Sequence, residues 1–351
     1  MTRSARFIEP LLALAPVVLA LAFTSVLLVA VGAPPGQAYL HILRGAFESP
    51  TKVADVFGFW VPLMLCSVGL LLTFTAGLWN IGVEGQIVVG ALFTSWVARN
   101  VFLPSAILIP LELIAALVGG ALWGLLAGVL KTRGSVHEIF GGLALTNIAL
   151  ILTNYMISGP WQPPEGGSLQ GTTPFQPAAL LPRFAGMRLS PVAVALALVA
   201  FVAVYFALRG TFWGLQLKAL GSNPRSAFLL GVATERHVLL SMAACGALAG
   251  LAGAVRAVSF YGNLRPLISG GIGFLAILVV LLASIRALWV PFIAFFFAAV
   301  MGGSLRLQIQ TQLHNSLGGI LQGALVLFVI LMHGVRQRMG GGQRIAVGEA
   351  D

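Results

Sequence analysis

The sequence predicts an all-α polytopic membrane protein with about ten transmembrane helices. Three observations carry that reading. Of 351 residues, 58% are hydrophobic and only 9% are charged, against roughly a quarter charged in an average soluble domain. Mean hydropathy is +0.97. Apolar runs of helical length, about 20 residues, recur from end to end instead of the short alternating strands of a barrel.

The first run, Leu11 to Val31, is too long for the core of a signal peptide and no clean cleavage site follows, so it is read as a retained first span of about 10–32. The second span is about 56–77, and a short third, about 86–102, follows LWNIGVEGQIVVG. The fourth to sixth are about 105–130, 137–157 and 190–208. The last four are about 236–258, 269–286, 288–304 and 316–334. With both termini on the cytoplasmic side, that side receives 12 of the 20 Lys and Arg, as the positive-inside bias requires. This placement also explains the formal charge of +10 without nucleic acid.

Two connections are long. Residues 158–189 are rich in Pro and Gly and read as an external cap or docking loop. Residues 209–236 fall inside and read as short amphipathic helices broken at Gly221-Ser222-Asn223-Pro224. AYLHILRGAF, within 33–55, is expected to form a helix at the outer interface. GVEGQIVVGAL after the second span and GGIGFLAILVVLL after the seventh are glycine-rich openings of the same kind. They point to inverted repeats of spans 2–5 and 7–10.

Soluble-enzyme signatures are missing. The nearest approach to GxxxxGK[ST], at Lys131-Thr132, has Leu130 where glycine is needed, so the chain is not expected to hydrolyse ATP by itself. The five histidines show no ligand spacing, and Cys66 and Cys245 read as small apolar filler. Polar residues at membrane depth remain. Asn80, Glu84 and Gln86 sit among Gly77, Gly82 and Gly85. They fit either a discontinuous segment lining a solute path or a polar turn in which Asn80 caps a helix and Glu84 meets its dipole. Asn147 and Asn154, seven apart and flanked by Thr146 and Thr153, share one helix face that can bind a polar solute or tie two helices together. Ser135 and Glu138 fit a capping box. GALAGLAGA (246–254) and LVGGALWGLLAG (117–128) mark close helix packing, and Gln308 to Asn315 read as a polar turn.

GLWNIGVEGQIVVGAL resembles the motif after the second span in permease subunits of ABC importers for nucleosides and simple sugars, in the group that also serves ribose and branched-chain amino acids. The match continues in KTRGSVHEIFGGLALTNIALILTNYMISGPW, TFWGLQLKALGSNPRSAFLLGV, GALAGLAGAV and ISGGIGFLAILVVLL, over about 35–335. The resemblance implies two permeases forming the pore, identical or homologous, and two cytoplasmic ATPases that hold ATP and Mg. It also implies a bacterial plasma membrane location and an external or periplasmic solute-binding protein, with no cofactor on this chain. It implies that 218–232 docks on the ATPase, with Lys218, Gly221, Asn223, Pro224, Arg225, Ala227 and Phe228 as its coupling residues. Leu78-Trp79, Ser222 and Phe228-Leu229-Leu230 depart from the family pattern and bear on which solute and partner are served. A stand-alone secondary transporter with Glu84 as coupling carboxylate is the alternative. An intramembrane enzyme is disfavoured by the missing catalytic constellations.

Overall fold

The structure, a computed structural model, describes residues 5–30, 34–164, 166, 171–311 and the positions 320, 323, 324, 327, 328 and 331. Every regular element among them is helical. Among the described residues, six helical stretches are long and apolar enough to cross a membrane, or seven if the bent pair Val18–Ala30 and Pro35–Phe47 counts as one span. The protein is a multi-pass, all-helical membrane protein. Most of the predicted tenth span, 316–334, and Gln312, His314 and Asn315 of the predicted polar turn lie outside the described residues.

The chain divides into two compact units. The first, 1–48 with 299–351, contains α1 (Ala5–Ala30) and α2 (Pro35–Phe47). There the Tyr39 hydroxyl donates to the Leu21 carbonyl at 2.9 Å. The expected helix in 33–55 is α2, opened by Pro35 in its first turn, where the missing N–H costs nothing. Gln308 and Gln310, expected in a turn, belong instead to the helix α12 (Val290–Thr311).

The second unit, Ser49–Ala298, carries the rest. Its helices are α3 (Pro50–Thr75), α4 (Val83–Asn100), α5 (Ser105–Thr132) and α6 (Glu138–Ser158), then α7 (Pro191–Gly210). After them come α8 (Phe212–Ser222), α9 (Pro224–Leu229), α10 (Thr234–Ala254) and α11 (Ile272–Leu282). Lipid tails are as apolar as leucine, so helices associate here by close van der Waals packing, which small residues permit. The glycine pattern does this at α5 and α10. A Cβ on Gly120 would lie 2.0 Å from the Gly246 carbonyl, and one on Gly250 would lie 2.1 Å from that of Ala116. α3 is buried almost throughout its length.

Ser135 and Glu138 form no capping box. Ser135 has left-handed backbone geometry, φ +52°. His137 is the N-cap of α6, and the Glu138 carboxylate is taken by Lys131 from the last turn of α5. A capping box needs its glutamate three residues past the cap, and with His137 as cap Glu138 is only the first helical residue. Its carboxylate also accepts from the backbone of Trp79 and of Glu138 itself. The Pro- and Gly-rich connection before α7 is clasped rather than free. Thr172 and Phe175 donate their amides to the carbonyls of Leu264 and Gly262, each at 2.8 Å.

Candidate functional site

Two helices in the second unit are interrupted, and their broken ends meet. The first break, 76–82, separates α3 from α4. Gly77, at φ +74°, reverses the chain there. Asn80 and Gln86 close across the break as a reciprocal amide pair, Nδ2 to Oε1 and Nε2 to Oδ1, both at 3.1 Å. Asn80 Nδ2 also lies 3.1 Å from Cys245 Sγ on α10, so that cysteine is a polar partner and not only filler. Asn80 does not cap α4, whose N-cap is Gly82.

The second break follows α10. A π-helical turn, Val255–Tyr261, continues it, and residues 262–271 then lead back to the start of α11. Glu84, in the first turn of α4, reaches this start. Its Oε1 accepts from the Gly271 amide at 2.9 Å and its Oε2 from the Gly273 amide at 2.7 Å. Ser269 adds a side-chain hydrogen bond. Gly271 and Gly273 are the N-cap and second residue of α11, so one carboxylate meets orphan amides of α11 while sitting at the positive end of α4. The approach needs glycine, because a Cβ on Gly273 would lie 2.6 Å from Oε2 and 2.8 Å from the Glu84 Cα.

Arg256 supports the same loop from the π-helical turn. Only 3% exposed, it donates through Nε to the Ile268 carbonyl at 3.1 Å and through Nη2 to the Tyr261 hydroxyl at 2.6 Å. Its guanidinium lies 4.9 Å from the Phe260 ring centre and 4.6 Å from that of Tyr261, the face-on geometry that attracts a cation.

Asn80, Glu84 and Gln86 are therefore buried among protein partners in this structure. Asn147 and Asn154 do share a face, but it is the exposed one. The buried stripe of α6 carries Thr146 and Thr153 instead, because Gly85 packs against Thr146, with a Cβ there only 2.8 Å from the Thr146 Cα. Seven-residue spacing fixes a shared face, and the neighbour decides which face is buried. Arg256, Ser269, Gly271 and Gly273 were not singled out one by one by sequence reasoning. The second glycine-rich opening pointed to Ser269, Gly271 and Gly273; Arg256 was read only as a topology-setting charge.

Glu112, on α5, was also missed. It is fully buried and neither carboxyl oxygen has a hydrogen-bond partner among the described residues. An unpartnered buried polar group costs about 1–3 kcal/mol. Glu112→Met, close in shape and apolar, is accordingly expected to raise stability by about 1–3 kcal/mol, read as resistance to denaturant, with uptake unchanged.

The expected short helices within 209–236 are α8 and α9. The Asn223 side chain caps α9 by accepting from the Ser226 amide at 3.0 Å, and Pro224 pre-sets its first turn. Lys218 and Arg225 are exposed, as are Phe228, Leu229 and Leu230 at 67%, 78% and 81%. Ala227 faces inward, 1% exposed, and so does not belong to the presented surface. Gly221, before the cap, touches the first break directly: a Cβ on it would lie 2.1 Å from the Thr75 carbonyl and 3.0 Å from the Gly77 amide.

Residues 53–330 match the family described as branched-chain amino acid transport system / permease component. A glucose ABC transporter permease protein of Haloferax volcanii is 33% identical over 90% of this chain and 85% of its own length. A guanosine ABC transporter permease protein of Bacillus subtilis is 29% identical over 96% of this chain and 97% of its own. A nucleoside ABC transporter permease protein of Lactococcus lactis is 26% identical over 80% and 79%. A helical membrane chain with two broken helices locked together, matched to one family over 53–330, belongs to the branched-chain amino acid transport system permease components.

Proposed function

We propose that the chain is the translocating subunit of an ATP-driven importer for a nucleoside or a related neutral solute such as a simple sugar. The observation that carries this reading is the α8–α9 element. It offers a capped, preformed turn whose Phe228, Leu229 and Leu230 are exposed beside Arg225, a surface that a carrier acting alone does not need. On this reading 209–236 is cytoplasmic and docks a separate ATPase holding ATP and Mg, with Lys218, Gly221, Asn223, Pro224, Arg225 and Phe228 in the coupling role. Residues 158–189 then face the external binding protein. Residues 1–351 form one permease domain in a bacterial plasma membrane, with both termini inside and no cofactor or reaction of its own.

The relatives named for glucose, guanosine and nucleosides support a neutral solute. So does the site. Broken helices in transporters commonly aim their positive ends at an anionic substrate group, and here those of α4 and α11 converge on the protein's own Glu84. The exposed amides Asn147 and Asn154 form the face we assign to the path or to the second permease, identical or homologous. The helix–break–helix forms of α3–α4 and α10–α11 support the inverted repeat.

Leu229→Asp is expected to weaken ATPase association at least about 30-fold, the roughly 2 kcal/mol of an interface hot spot, and Pro224 or Arg225 substitutions to abolish uptake while the binding protein still takes solute. Ion-gradient uptake by the purified chain alone in vesicles, with no ATPase, sinks the proposal in favour of a secondary transporter.

A further inference from the structure

A half-open groove of about 530 Å³ lies against α4 and α5, lined by none of the residues of the breaks at 76–82 and 262–271. Its wall is apolar throughout and includes Phe93 and Trp96 of α4, Ile114 and Val118 of α5, Met156 near the end of α6, and Trp161 just beyond it. That volume lies within the roughly 300–1,000 Å³ range of small-molecule sites. At about 1.5 Å per residue, Leu111 to Val118 sit about 9–20 Å along α5 from Ser105. Measured from Ser105, that stretch reaches about the midplane of a hydrocarbon core about 30 Å thick. A cation stands against one of the groove's lining residues. Arg99 lies three residues beyond Trp96, donates to the Thr173 hydroxyl at 2.8 Å, and stands 5.6 Å from the centre of the Trp161 ring. No carboxylate lies within 4 Å of Arg99 among the described residues.

Those features match the two ends of one molecule: an acyl chain against the apolar wall, and a phosphate beside an arginine with donors to spare. Paired tryptophans at that level suit the boundary between hydrocarbon and headgroup. We propose that this groove binds a single anionic phospholipid from the leaflet on the side of the 159–190 segment, with one acyl chain between α4 and α5 and its phosphate on Arg99. The site is independent of the transport reading, which can stand or fall without it.

The test uses the purified full chain, delipidated in detergent and titrated with phosphatidylglycerol or phosphatidylcholine under native mass spectrometry. Wild type is expected to retain one phosphatidylglycerol at least fivefold better than phosphatidylcholine. Arg99→Gln should bring the two within twofold while keeping a bound lipid. Ala115→Trp and, separately, Val118→Phe should fill the groove and remove the bound lipid, with an unchanged elution volume showing that each is folded. Equal retention of both lipids by wild type, or undiminished retention in both filled variants, overturns the proposal. So does efficient disulfide cross-linking of Trp96→Cys to a second permease subunit, which would make the groove a protein interface.

Discussion

Glu84→Gln is expected to destabilise the protein by about 3 kcal/mol and to lower the maximal rate of uptake while leaving the solute concentration for half-maximal uptake unchanged. The amide keeps one acceptor oxygen and turns an NH2 group toward one of the two α11 amides that the carboxylate now satisfies. Leaving one buried N–H unmet costs about 1–3 kcal/mol. Losing the negative charge at the positive ends of two helices adds about 0.3–1 kcal/mol for each. Gly273 leaves no room for the loop to settle elsewhere, since its backbone already abuts Glu84. Chemical denaturation of the purified chain measures the first effect, and initial uptake rates over a range of solute concentrations measure the second. A shift confined to half-maximal concentration, with full stability, would place Glu84 on solute and refute the clamp.

The spans were legible because apolar run length is a local property. The fourth and fifth, placed at 105–130 and 137–157, correspond to α5 at 105–132 and α6 at 138–158. Breaks were legible too, from glycine beside polar residues at 77–86 and from the glycine-rich opening at 270–273. Partners were not. Glu84 and Gly271 are 187 residues apart, and nothing local in GVEGQ says that its carboxylate belongs to the other glycine-rich opening. Glu138 shows the same limit at short range: S-x-x-E is a correct local rule, but α6 starts two residues later than it requires, and the carboxylate pairs with a lysine seven residues earlier. Asn147 and Asn154 show it for helix faces, since a polar residue facing outward in one subunit has no local signature that separates it from one facing in.

Gly221→Ala is expected to leave the ATPase bound and hydrolysing while cutting uptake more than about tenfold, by the following geometry. The α8–α9 turn and the α3–α4 break touch backbone to backbone, with Gly221 against Thr75 and Gly77. Nothing flexible lies between them to absorb a displacement, so movement of one must move the other; packed interiors shift between discrete arrangements and do not deform smoothly. A single methyl on Gly221 would meet the Thr75 carbonyl at 2.1 Å, and the two segments would have to separate. The exposed surface of α9, Phe228 to Leu230, is untouched by that change, so docking should survive. Gly210→Ala is the control: a Cβ there meets nothing within 4 Å, and uptake should stay at the wild-type level. ATP hydrolysis by the assembled complex, scored beside uptake in the same vesicles, separates uncoupling from lost assembly. Tight coupling retained in Gly221→Ala would show that this contact does not transmit the ATPase stroke, and the path would then have to run through Lys131, Glu138 and the start of α6, which Lys131 ties to the end of α5.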